Sequence, residues 1–95
     1  GPYAAQVRDI VNVSFGKGDH LFHDLCNGHH LLFPYRLSLC FPAKLSNCIV
    51  MQDTKIGCNT NLNYVIIDKD VTIKDGRSLM GYDSYPIYIA KKSVV

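Results

Sequence analysis

From Leu45 onward an aliphatic residue returns at Val50, Ile56, Leu62, Ile67 and Ile73, in steps of five or six, with polar and turn-forming residues between. A helix would bring its apolar residues back every three and four positions, and a half-buried strand every two. Steps near six fit neither pattern. They fit short strands separated by corners, in which one aliphatic side chain per side points into a shared interior and a small or β-branched residue follows four positions later. Thr54, Thr60 and Val71 hold that second place. Asp53, Gly57-Cys58-Asn59, Asp68-Lys69-Asp70 and Asp75-Gly76 supply the corners, being residue types suited to turns.

Three such sides make one 17-residue unit, which occurs twice, at 45–61 and 62–78. The copies share Leu45/Leu62, Ile49/Ile66, Asp53/Asp70 and Ile56/Ile73, and pair Val50 with Ile67 and Cys48 with Val65. A coil this thin holds no core alone, so each aliphatic residue must stack on its counterpart one coil away. The expected solenoid core is therefore Leu45, Val50, Ile56, Leu62, Ile67 and Ile73, with Leu45 near Leu62 and Ile56 near Ile73. Carried backwards, the register puts Leu39 opposite Ile56 and Phe33 opposite Val50, with Ala43 in a small-residue place, and then fails at Gly28 and Gly16.

The expected organisation is one domain over 1–95, with an irregular segment at 1–32, coils at 33–78 and a terminal capping strand within 79–95. Val7, Ile10, Val11, Val13 and Phe15 read as one strand with no evident partner. Tyr85-Pro86-Ile87-Tyr88-Ile89 alternates as a strand, Pro86 suiting a sheet edge, with Lys91 and Lys92 solvated beyond it.

Composition narrows the function classes. The chain has 95 residues, 47% of them hydrophobic, and a formal charge of +2. That describes one small globular domain without the basic surplus of a nucleic-acid binder. No apolar run approaches the roughly 20 residues that cross a bilayer. The four cysteines, Cys26, Cys40, Cys48 and Cys58, form no C-x-x-C pair and follow no signal peptide, so reduced thiols in a cytoplasm are expected. The chain opens on Gly1-Pro2, a scar of tag removal or the cut end of a longer chain, and a fragment of a larger protein is expected.

The run Asn47-Cys48-Ile49-Val50-Met51-Gln52, then Lys55-Ile56-Gly57, Val65-Ile66-Ile67-Asp68-Lys69-Asp70-Val71 and Asp75-Gly76-Arg77, resembles the C-terminal left-handed β-helix of bacterial glucose-1-phosphate adenylyltransferase. This enzyme is also called ADP-glucose pyrophosphorylase, and the resemblance is nearest to its GlgD-type regulatory subunit. Leu79, Gly81, Tyr85-Pro86, Ile89 and Lys91 fall in matching places, so the resemblance spans 43–95, while 1–42 depart from it. It implies an all-β, left-handed parallel β-helix, a hexapeptide-repeat solenoid. It further implies a non-catalytic assembly and regulatory domain in glycogen biosynthesis. Such a domain would be cytoplasmic, inactive alone and without a cofactor, partnered by catalytic and like subunits and by neither nucleic acid nor membrane.

Other chemistry is weaker. His20, His23, Cys26 and His29, with His30 adjacent, recur every three residues and would line one side of a helix as zinc ligands. Gly18 and Gly28 flank the segment and helix propensity is poor, so solvated histidines are expected and no metal site is assigned. A hexapeptide acyltransferase would need a histidine base, and every histidine precedes residue 31, outside the repeat. Gly16-Lys17-Gly18 is too short for a phosphate loop and reads as a turn. Tyr82, Tyr85 and Tyr88 read either as an interface patch or as cover for the solenoid end. No catalytic or cofactor-binding residue is assigned.

Overall fold

The structure, a computed structural model, describes residues 8–16, 26–27, 30–33 and 36–95. Its strands are β1 (Ile10–Phe15), β2 (Cys26–Asn27), β3 (His30–Phe33), β4 (Leu37–Cys40), β5 (Ala43–Val50), β6 (Lys55–Ile56), β7 (Thr60–Asn63), β8 (Val65–Ile67), β9 (Thr72–Ile73), β10 (Ser78–Met80) and β11 (Ile87–Ile89). Among the described residues no helix is long and apolar enough to cross a membrane.

Three parallel ladders make a β-helix. The first face stacks the start of β1, the start of β5, then β7 and β10. The second stacks the end of β1, the end of β5, then β8 and β11. The third stacks β4, β6 and β9, and is continued by a Thr72–Val94 bridge. One strand serves two faces in β1 and β5 because each bends at an asparagine with left-handed backbone, Asn12 (φ 55°) and Asn47 (φ 54°). Asparagine enters that region at less cost than most residues. The last coil closes a third side too, since Lys74 N–H donates to Val95 O at 2.7 Å and Val95 N–H to Thr72 O at 3.0 Å.

The register is the 17-residue one: Leu45 lies against Leu62, Ile49 against Ile66 and Ile56 against Ile73. Leu39 sits against Ile56 as extrapolated. Phe33 does not sit against Val50. That place belongs to Phe15, while Phe33 pairs with Leu37 in the antiparallel β3–β4 ladder. The reason is an insertion: Asn12 and Asn47 are neighbours 35 residues apart, whereas Ser46 and Asn63 in the next pair of coils are 17 apart. The strand that lacked a partner in the sequence is thus the opening coil's first two sides.

The interior is a stack of aliphatic residues. Leu39, Leu45, Leu62, Val65, Ile67 and Val71 have no solvent exposure, and Val50, Ile56 and Ile73 are buried with them. Thr54 and Thr60 are buried polar residues, and each hydroxyl donates to a backbone carbonyl, Asp68 O and Gly57 O, both at 3.0 Å. Neither is left unsatisfied, as burial requires.

The cysteines correct the expectation of reduced thiols throughout. Cys40 and Cys58 form a disulfide, with Cα atoms 4.6 Å apart and a sequence separation of 18. Stacking explains the pairing, because residues about one 17-residue coil apart become spatial neighbours. Cys48 is free and buried, and its burial pushes the thiol's pKa up.

Gly57 and Gly76 separate two uses of glycine. A Cβ at Gly57 would meet Asp75 Oδ1 and the Lys74–Asp75 backbone within 3.0 Å, whereas Gly76 has open space and φ of +76°. Gly57→Ala is expected to destabilise the fold by about 1–3 kcal/mol through overpacking against backbone. Gly76→Ala should cost roughly 1–2 kcal/mol, from left-handed strain alone. Denaturant melts of both variants, with a crystal structure of Gly57→Ala showing the Lys74–Asp75 corner displaced, would check this. An undisplaced corner would refute the crowding argument.

Candidate functional site

The corner between the first and second faces is built from residues that stack coil on coil. Asn12, Asn47 and Tyr64 occupy it in successive coils, all with left-handed backbone, and Gly81 takes it in the last. Asn12 Nδ2 donates to Asn47 Oδ1 at 2.8 Å, and Asn47 Nδ2 to Asn63 Oδ1 at 3.1 Å, which also accepts the Ser46 hydroxyl at 2.9 Å. The amides therefore satisfy one another along the corner. Gly81 is required because a Cβ there would strike the Tyr64 carbonyl oxygen and the Ile87 amide.

From Gly81 the chain leaves the coil in a tight turn. Tyr82 N–H donates to Tyr85 O at 3.1 Å and Tyr85 N–H to Tyr82 O at 3.0 Å, closing Tyr82-Asp83-Ser84-Tyr85. Ile87 N–H then donates to Tyr64 O at 3.0 Å and returns the chain to the second face. The turn holds Tyr82 and Tyr85 outward, 73% and 80% exposed. Tyr88 lies in register with Ile66, which is in register with Ile49, so the three form an apolar row on the outside of the second face. Val11 and Met80 flank the corner on the first face. Beside the turn is a groove of about 350 Å³ lined in part by Asn12, Asn47, Ile49, Tyr64, Ile66 and Asp83.

The corner between the second and third faces is of opposite character. Arg36, Asp53, Asp70 and Lys92 all have left-handed backbone there. Arg36 grips Asp53 with two nitrogens, Nε on Oδ1 and Nη2 on Oδ2, the latter at 3.1 Å. That hydrogen bond, then the guanidinium charge, holds the Asp53 carboxyl below the usual carboxylate range and raises the Arg36 pKa. Tyr88 donates its hydroxyl to Asp68 Oδ2, and Lys69 N–H donates to Asp68 Oδ1 at 2.7 Å. The Tyr88 contact first, then the Lys69 amide, lower the Asp68 pKa, and the same contact raises that of Tyr88.

The six sequence-predicted core residues Leu45, Val50, Ile56, Leu62, Ile67 and Ile73 lie inside the solenoid, each at most 3% exposed. Tyr82, Tyr85 and Tyr88 lie together on the outside. His20, His23 and His29 lie outside the described residues, as do the side chains of Cys26 and His30. Among the described residues no three His, Cys, Asp or Glu side chains converge on a metal position. Sequence reasoning missed the asparagine ladder and the contribution of Val11. The signal for both was the match of Asn12-Val13-Ser14-Phe15 to Asn47-Cys48-Ile49-Val50, hidden by the intervening segment.

Residues 29–85, more than half of the chain, match the family described as GlmU-like, C-terminal hexapeptide. The chain belongs to this family. As a GlmU-like C-terminal hexapeptide domain it is a left-handed β-helix, with the family match covering β3 through β10 and the tyrosine turn. No curated protein matches it, and no solved structure does.

The two corner contacts of this hexapeptide domain make a pH prediction. A carboxylate with a lowered pKa stabilises the fold above its unfolded value, and loses that contribution as pH falls through the lowered one. The phenol, with a raised pKa, contributes at neutral pH and loses its contribution as pH rises through the raised value. Tyr88→Phe should therefore move the Asp68 titration upward and leave Asp53 in place, and Arg36→Gln should do the reverse. Carboxyl-detected NMR titrations read both, and an unmoved Asp68 in Tyr88→Phe would refute the assignment.

Proposed function

We propose that this chain is the C-terminal assembly and regulatory β-helix of a glucose-1-phosphate adenylyltransferase subunit of the GlgD type, acting in cytoplasmic glycogen biosynthesis. It joins catalytic and like subunits, needs no cofactor of its own and carries no catalysis alone. The family match supports the solenoid part of this reading, and the wording of residues 43–95 supports the enzyme.

One observation carries the assembly role. Of the large hydrophobic residues exposed among the described ones, Ile49, Tyr82, Tyr85 and Tyr88 lie on the tyrosine turn and the second face beside it, while Val11 and Met80 end a first-face row whose middle is Ser46 and Asn63, and Val94 lies apart. Scattered single exposures are ordinary, whereas a contiguous apolar patch rimmed by polar groups marks a protein interface. Tyrosines supply large contact area at small entropic cost, and they dominate binding energy where they are buried centrally.

Mixed with a catalytic glucose-1-phosphate adenylyltransferase subunit, the chain should co-elute and alter the activator response, with no adenylyltransferase activity of its own. The double variant Tyr82→Ser/Tyr85→Ser should weaken association by about thirtyfold, a loss of roughly 2 kcal/mol, with an unchanged circular dichroism spectrum. Failure of the unmodified chain to associate would overturn the proposal.

A further inference from the structure

The outside of the third face carries a groove of about 640 Å³, and the Cys40–Cys58 disulfide forms part of its wall with Lys55, Lys74 and Asp75. Gly57 and Thr72 also line the groove, between the two lysines. Its volume suits a ligand of small-peptide size.

The charge and exposure of this wall are uneven. Lys55 and Lys74 are exposed, and among the described residues neither ammonium has an ion-pair partner. The one carboxylate, Asp75, already accepts the Cys58 amide hydrogen at 2.8 Å. Two cations against one engaged anion leave the groove attractive to negative charge. Cys40 is buried, at 6% exposure, and Cys58 is half-buried, so Cys58 is the more accessible of the two bridged residues.

We propose that this groove is a thiol–disulfide exchange site for a small anionic thiol of peptide size. The incoming thiolate attacks Cys58 Sγ, a new S–S bond forms, and the Cys40–Cys58 bond breaks. The electron pair of the broken bond leaves on Cys40 Sγ, which takes a proton from solvent. The released thiol faces an acceptor, Phe41 O, at 3.8 Å. A second thiolate attacks the outer sulfur of the mixed disulfide, leaving Cys58 reduced and the two reagent thiols oxidised to their own disulfide.

Exchange here opens the groove without unstacking the coils. The same two coils are held by Leu39 against Ile56 on one side of the bridge and Ala43 against Thr60 on the other. Asn59 N–H also donates to Pro42 O at 2.6 Å.

The test exposes the full chain, purified without reductant, to glutathione, 2-mercaptoethanol and cysteamine at matched thiolate concentration, with opening followed by mass spectrometry. Glutathione is expected to open the bridge about fivefold faster than the neutral thiol at low salt, and cysteamine slower than both. Lys55→Gln/Lys74→Gln, or added salt, should erase that order, with the adduct mapping to Cys58 and the circular dichroism spectrum unchanged. The proposal is overturned by rates that ignore thiol charge, by an order the double variant preserves, by an adduct on Cys40, or by protein that carries no Cys40–Cys58 bond.

Discussion

The parallel hydrogen-bond ladder between coils, with its 17-residue register, is the constraint on which the rest of this structure depends. Each coil encloses an interior one aliphatic residue deep per side, so no coil has a core until another lies on it. The ladder aligns Leu45 with Leu62 and Ile56 with Ile73, and alignment converts thin layers into one continuous apolar column. The cost falls at the corners. Asn12, Arg36, Asn47, Asp53, Asn59, Tyr64, Asp70 and Lys92 all adopt left-handed backbone. For Arg36, Tyr64 and Lys92 that costs about 1–2 kcal/mol each, less for asparagine and aspartate. These strained residues persist because ladders on either side over-determine them.

The same constraint decides where the chain departs from regularity. A ladder needs its strands in register but places no demand on what links one side to the next, so extra residues are tolerated only at corners. In the first coil the second side ends at Phe15 and the third opens at Leu37, and in the last the tyrosine turn enters after Gly81, between the first and second sides. In each case the next strand resumes its register: Leu39 still meets Ile56, and Ile87 still meets Val65.

This division explains what could be read in advance. The column was legible because its residues repeat at fixed separation, and Leu39 against Ile56 followed from counting alone. Counting failed at Phe33, since an insertion shifts number without shifting place, and the residue in that place was Phe15. The disulfide was illegible for a related reason. Cys40 and Cys58 are 18 apart, one more than the coil register, so the count that sets Leu39 against Ile56 puts Cys40 against Gly57. Side-chain partners at corners were hidden in another way: Arg36 and Asp53 are 17 apart, so counting placed their backbones together, but it does not show which way a corner side chain turns.

The two charged and uncharged corners differ in what covering them would cost. At the corner of Arg36, Asp53, Asp70 and Lys92, burial under a partner would strip water from charges whose pairing is incomplete, and desolvating such groups opposes association. At the corner of Asn12, Asn47 and Tyr64, the amides already satisfy one another and Ser46, so little polar hydration is lost when the surface is covered. Tyr82 and Tyr85 stand over the second kind of corner, while Tyr88 reaches across the second face to Asp68. Solvation and apolar contact therefore favour the same edge of the solenoid, and the charged corner is left to water.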